Sequence, residues 1–304
     1  MASTSLIPPI LGLLFAPLLL GVVRRTKARM AGRTGEPLLQ AYYDLWKLLH
    51  KGAVYSKTTT VIFRAGPVVS LAAMITALFI TPLGGIPAPL TFAGDMILFA
   101  GLMGLGRFAT VLSALDTGSS FEGMGASREV QYASLCEPAF YLGLVVLAQC
   151  TQTVSLGGAL SALSPQHWGD HGMMLILAAA TFFTVFLAEN SRIPFDDPNT
   201  HLELTMVHEV MVLDHGGPDF AFISYGAALK LWMTGSIVAQ VLLPLHSGSL
   251  ALSVAGGCAG MVLLGVCTGL VESTMARLRL LRVPQLLVGA LAMSVLALAL
   301  GLMR

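Results

Sequence analysis

The chain has 304 residues, of which 55% are hydrophobic and 11% charged, and its mean hydropathy is +0.79. A soluble globular domain carries about 25% charged residues, so this composition excludes one and predicts an all-α, polytopic integral membrane protein. The net charge of +1 offers no field that would gather nucleic acid, and Cys136, Cys150, Cys258 and Cys267 lack the clustering that a zinc or iron–sulfur site needs.

The first apolar run, residues 4–23, is followed and not preceded by its basic cluster, Arg24, Arg25, Lys27 and Arg29. A secretory signal has the opposite order and a small-residue cleavage site. The run therefore predicts a spanning helix with its N-terminus outside and its basic end in the cytoplasm. Further on, Leu38, Leu39, Tyr42, Leu45, Trp46 and Leu49 recur at helical spacing, with Gln40, Asp44, Lys47 and Lys51 on the other face. This is the pattern of an amphipathic helix lying in the membrane interface or packed on a soluble partner.

Additional spans are predicted over 63–82, 95–115, 130–152, 172–190, 220–243, 250–271 and 285–303, eight with the first. Each is near the ~20 residues that cross a bilayer. Residues 1–304 then form a single membrane domain with both termini on the outer face of a prokaryotic cell (inner) membrane. Its large cytoplasmic connections are about 24–60, 116–129 and 191–219. Fourteen of the seventeen Lys and Arg residues fall in or beside the cytoplasmic connections, and the outer connections 83–94, 153–171 and 244–249 contain none. That asymmetry fixes the expected orientation. The exceptions are Arg107, Lys230 and Arg304.

Polar residues in an apolar chain carry the functional signal. An ionisable group inside a membrane helix costs at least ~2.5 kcal/mol and is a functional candidate by default. Glu137 lies in S-L-C-E-P-A-F, Arg107 in G-L-G-R-F, Lys230 opens the core of the sixth span and Glu272 closes the seventh. Glu137 is expected to pair with Arg107 or Lys230. Such charges either form a proton path, through pKa changes as a cation moves, or only hold helices together. Seven of the sixteen acidic residues gather between 188 and 219: Glu189, Asp196, Asp197, Glu203, Glu209, Asp214 and Asp219. Within this stretch Thr200–Leu213 reads as a short helix. His208-Glu209 does not begin H-E-x-x-H, because position 212 is valine, so a zinc protease is excluded. His201 and His208 are too sparse for a metal site. The stretch 115–129 is rich in turn formers, and Ser127 is a candidate cap for the next helix.

Three motifs are similar to those of one family. A-E-N-S-R-I-P-F-D at 188–196, L-D-T-G-S-S-F-E-G-M-G-A-S-R-E at 115–129 and V-E-S-T-M-A-R-L-R-L at 271–280 resemble the membrane subunit shared by respiratory complex I, where it is the quinone-site H-type subunit, and the membrane-bound group 4 NiFe hydrogenases, including formate hydrogenlyase. The resemblance covers nearly the whole chain. It implies a non-catalytic, membrane-anchoring and proton-path subunit of a redox-driven complex, with Glu137 as the intramembrane carboxylate and Arg107, Lys230, Glu272 and Glu189 as further members of the path. It places Glu189, Arg192, Asp196, Glu203 and Glu209 at the junction with a peripheral arm. Asp197, Asp214, Asp116, Arg128 and Glu129, in the same connections, are assigned to that junction too.

The resemblance also implies that this chain binds no cofactor itself. The NiFe centre and iron–sulfur clusters are expected in partner subunits: the hydrogenase large and small subunits or their complex I counterparts, and an iron–sulfur protein, with antiporter-like membrane subunits beside them in the lipid bilayer. The segment after the first span reads G-R-T-G-E-P-L-L-Q instead of the R-x-G-P-N-R usual in complex I, which favours the hydrogenase branch over a quinone-binding subunit. A free-standing transporter would show inverted repeats, and none is apparent. A passive anchor is the remaining alternative.

Overall fold

A computed structural model describes residues 4–196, 207–244 and 249–303. Asp197, Glu203, His201 and Arg304, singled out above, lie outside the described residues, as does the first half of the helix expected over Thr200–Leu213. The described part of that helix is a single 3-10 turn, Glu209–Val212.

The helices are α1 (Ile7–Met30), α2 (Gln40–Leu49), α3 (Val61–Leu78), α4 (Asp95–Asp116), α5 (Ser120–Thr151), α6 (Leu156–Ala162), α7 (Pro165–Glu189), α8 (Gly217–Leu242), α9 (Leu250–Thr274) and α10 (Val283–Leu302). Eight of them, all but α2 and α6, are long and apolar enough to cross a bilayer. They coincide with the predicted spans, because a backbone without water must satisfy its hydrogen bonds within each segment. α8 is the central post: 72% of its most apolar window is buried, against 22% for the last span. α3, α1, α7 and α9 pack around α8, and α10 closes against α5 and α7. Small residues set the closest crossings. A Cβ on Gly66 of α3 would lie 2.6 Å from the Ser113 Cβ and 3.0 Å from the Ala109 carbonyl oxygen of α4, so any larger residue there separates the two helices.

α5 corrects the sequence reading of 116–129 as a connection. Helix starts at Ser120, and only residues 117–119 separate it from α4. Ser127 is not a cap; its hydroxyl donates to the Met124 carbonyl at 2.9 Å. One of the residues that read as turn formers, Gly125, is small for a packing reason. A Cβ on Gly125 would meet the Val207 carbonyl oxygen and Met211 at 3.0 Å, so this glycine admits the segment before α8. With 32 residues, α5 is about 48 Å long, well beyond a hydrocarbon core of about 30 Å. Its first turns extend past the membrane-spanning part.

Other differences are local. α7 starts at Pro165 with a kink at His171, earlier than the predicted 172. The seven-residue α6 precedes it. α2 forms as expected but is rotated relative to its predicted faces. Leu39, Tyr43, Trp46 and Leu49 point outward, while Gln40 donates to Asp44 at 2.9 Å on the half-buried side. The Tyr42 hydroxyl donates to the Leu14 carbonyl and ties α2 to α1.

Two aspartates hold helix ends. Asp116 accepts from the Thr60 amide at 2.6 Å, the Thr60 hydroxyl at 2.8 Å and the Phe63 amide at 3.2 Å, closing the start of α3, whose first amides have no helical partner. Asp95, fully buried, accepts from the Leu156 amide at 2.6 Å, the Ser155 hydroxyl at 2.8 Å and the Phe92 amide at 3.3 Å. Asp95→Ala should lower stability by about 1–3 kcal/mol for each buried donor left unpaired. Thermal unfolding of the detergent-solubilised protein checks this, and an unchanged midpoint would remove Asp95 from the scaffold.

Candidate functional site

Arg107 sits in the middle of α4, flanked by Gly104 and Gly106. Its side chain is 8% exposed. A buried guanidinium needs acceptors in several directions, and three carboxylates supply them. Nε reaches Glu129 at 3.2 Å, Nη1 binds Glu137, and Nη2 binds both oxygens of Glu189. Glu129 and Glu137 stand on α5; Glu189 is the last residue of α7. The ammonium of Lys230, on α8, reaches Glu189 at 2.8 Å. The end of α7 is held against α8 by Asn190, whose amide donates to Thr234 at 3.0 Å; Thr234 in turn donates to the Lys230 carbonyl at 2.7 Å. These bonds bring Glu189 to Lys230.

Three carboxylates thus share two cations. With all three ionised, the cluster carries one more negative than positive charge. Glu137 differs from the other two acids in position: its side chain is 43% exposed, against 9% for Glu189 and 15% for Glu129. It stands on the lateral face of the bundle beside Gly104, where an added Cβ would meet only the Glu137 carboxylate, at 3.6 Å.

A second set of pairs lies at the end of the bundle occupied by α2. After α7 the chain turns through the cis Ile193–Pro194 bond. Arg192 lies against Glu272 at 3.3 Å, and Lys27 of α1 approaches the same carboxylate at 3.6 Å. Asp196 pairs with Arg277 at 2.7 Å and accepts the Val207 amide at 3.0 Å. Both Arg192 and Asp196 are buried, so any part they take at a junction with another chain is indirect. Glu209 is half-buried and Asp214 exposed. Arg128 is half-buried and reaches Met124 of its own helix. Asp116, as shown above, binds the start of α3.

Two cavities connect these groups. The smaller, about 90 Å³, is lined by Arg107, Glu129, Glu189 and Lys230; the larger, about 430 Å³, by Arg24, Asp44, Lys51 and Glu272. Among the described residues no three His, Cys, Asp or Glu side chains converge as a metal site requires.

Sequence reasoning missed several polar residues. Glu122 is buried and accepts the Asp214 amide at 3.1 Å. His215 stacks on Phe63 with centroids 4.0 Å apart, and its Nε2 meets the Ser113 hydroxyl at 3.0 Å. That hydroxyl already donates to the Phe63 carbonyl at 2.9 Å, so His215 is the donor. His208 was weighed only as a metal ligand, yet it lines both cavities. No local pattern marks these positions, since their partners lie far away in the chain.

The fold and the site define a polytopic membrane protein with ionisable groups paired through its interior. The chain belongs to the NADH dehydrogenase family, whose sequence profile matches residues 4–302. It is similar to formate hydrogenlyase subunit 4 of Escherichia coli (strain K12), with 32% identity over 273 residues and 87% of each chain covered. Hydrogenase-4 component C of the same organism is 31% identical over 275 residues, covering 88% of this chain and 86% of the relative. Among solved structures, a chain of the membrane-bound sulfane sulfur reductase, an archaeal respiratory membrane complex, shares the fold with a TM-score of 0.84, 20% identity and 98% of both chains covered.

Two predictions follow from this geometry. Arg107→Met, which strands three carboxylates, should destabilise the protein by about 3–5 kcal/mol, and adding Glu189→Gln should recover part of that; additive losses in thermal unfolding would mean that the two residues are not coupled. Burial also holds the His208 and His215 imidazoles below their ordinary value, with desolvation the leading cause in both. The unfolded chain then binds more protons than the folded one as pH drops below about 6.5. Stability should therefore fall on acidification through that range, and His215→Phe should flatten the fall.

Proposed function

We propose that this chain is the membrane-anchoring, proton-path subunit of a redox-driven complex of the membrane-bound NiFe hydrogenase type, similar to formate hydrogenlyase. The sequence similarity to formate hydrogenlyase subunit 4 and hydrogenase-4 component C supports the class. The observation that carries the mechanism is the imbalance around Arg107: three carboxylates face two cations. Groups coupled this tightly titrate as a unit. A small displacement of Arg107 or Lys230 changes which carboxylate holds the proton, because a cation nearby favours the ionised form.

In this reading Glu189, at the end of α7, is the inner station. The exposed Glu137 is the lateral one, where a neighbouring antiporter-like membrane subunit continues the path. Electron transfer takes place in a peripheral arm that holds the NiFe centre and iron–sulfur clusters in the hydrogenase large and small subunits and an iron–sulfur protein. The arm docks on the face carrying Glu209 and Asp214 and biases the charge pairs beneath it, Arg192–Glu272 and Asp196–Arg277. That face is cytoplasmic and both termini are outside, as the distribution of Lys and Arg supports.

The test is proton pumping per turnover by the purified complex in liposomes. Glu137→Gln and Glu189→Gln should each leave the complex assembled and reduce pumping at least about tenfold, within the range by which a positioned proton-transfer group acts. Unchanged pumping in both variants would reduce the cluster to a packing device and the chain to a passive anchor.

A further inference from the structure

The two cavities meet along a shared wall. Among the described residues, seven line both: Leu20, Ile223, Ala227, Asn190, Ser191, Arg192 and His208. Three of these are apolar, and neither the Asn190 amide nor the Ser191 hydroxyl ionises near neutral pH. Arg192 keeps its charge at all relevant pH. Only the imidazole of His208 both accepts and releases a proton in the physiological range. We infer that His208 is the proton-transfer residue joining the α2-side chamber to the Arg107 cluster. The inference rests on the proton-path reading above and assigns it an entry point.

His208 stands at the start of the 3-10 turn Glu209–Val212, where its carbonyl accepts the Met211 amide at 3.2 Å. Charged groups face it from each element packed around it: Glu129 of α5, Glu189 at the end of α7, Lys230 of α8, and Asp196 beyond α7. Arg192 shares its wall, and Glu209 and Glu272 line the chamber side. Desolvation weakens the hold of the ring on a proton, which favours release to the cluster. The cycle balances simply. One ring nitrogen takes a proton from the chamber, giving an imidazolium. A proton then leaves to the ionised carboxylate of the Glu129–Glu189 pair, and the ring returns to neutral. No electron moves through this residue. Its neighbours explain the direction of control: three carboxylates favour the imidazolium, and Lys230 opposes it.

The experiment uses the whole complex in liposomes, comparing the native protein with His208→Ala, His208→Gln and Glu189→Gln. Pumping per turnover should fall at least about tenfold in both His208 variants. Added imidazole should restore it in His208→Ala and not in Glu189→Gln, because the chamber of about 430 Å³ admits a free ring beside the vacated position. A residue that only props up the fold would not be rescued in this way. Full pumping in His208→Gln would show that hydrogen bonding suffices, and would overturn the inference. So would a loss in His208→Ala that imidazole does not touch. If His208→Ala pumps normally while Glu189→Gln does not, the inference fails and the proton-path reading stands. If both pump normally, the proton-path reading fails as well.

Discussion

A guanidinium buried inside a membrane bundle governs this structure. Arg107 cannot shed its charge and is almost wholly enclosed by protein, so the fold must bring anionic acceptors to it. It brings three, from two positions on α5 and one at the end of α7. Much else follows. α5 must run unbroken from Ser120 to carry both Glu129 and Glu137. α7 must end against α8, where Lys230 gives Glu189 a second cationic partner beside Arg107. Gly106 lets α3 approach α4 beside Arg107: a Cβ there would run into the Met74 methyl group.

The same constraint separates two kinds of charge pair. Arg192–Glu272 and Asp196–Arg277 include one cation for each carboxylate, with Lys27 adding to the first. They fix the turn after α7 and join it to α1 and the segment after α9. The Arg107 cluster has an excess carboxylate and so an incentive to bind a proton. Where cations match or outnumber carboxylates the pairs hold the structure; the carboxylate-rich Arg107 cluster is the part proposed to respond to proton supply. The two cavities run from the α2 end to Arg107, Glu129 and Glu189.

Hydropathy revealed the spans because each needs only its own apolar run to form. The cluster was partly legible for a related reason: Glu137, Arg107, Lys230 and Glu189 are conspicuous in apolar helices, and the structure pairs Glu137 with Arg107, one of the two partners expected. Glu129 was assigned to a connection because glycines and serines around it resemble a turn. Gly118 does sit in a turn, but Gly125 is needed for the approach of Val207 and Met211 from a distant part of the chain. The rotation of α2 was hidden as well, since a helix between bilayer, chamber and neighbouring helices has no single apolar side. α6 is too short for periodicity to show. Arg192 and Glu272 are eighty residues apart, and nothing local links them.

The central claim is that three carboxylates around two cations hold one proton between them. Infrared difference spectroscopy of the complex at neutral pH tests it most directly, through the stretching band of a protonated carboxyl. The account predicts one such band, lost when any one of Glu129, Glu137 or Glu189 is replaced by glutamine, because two carboxylates then face two cations and no proton is needed. A band that survives all three substitutions, or is lost with only one of them, would contradict a shared proton.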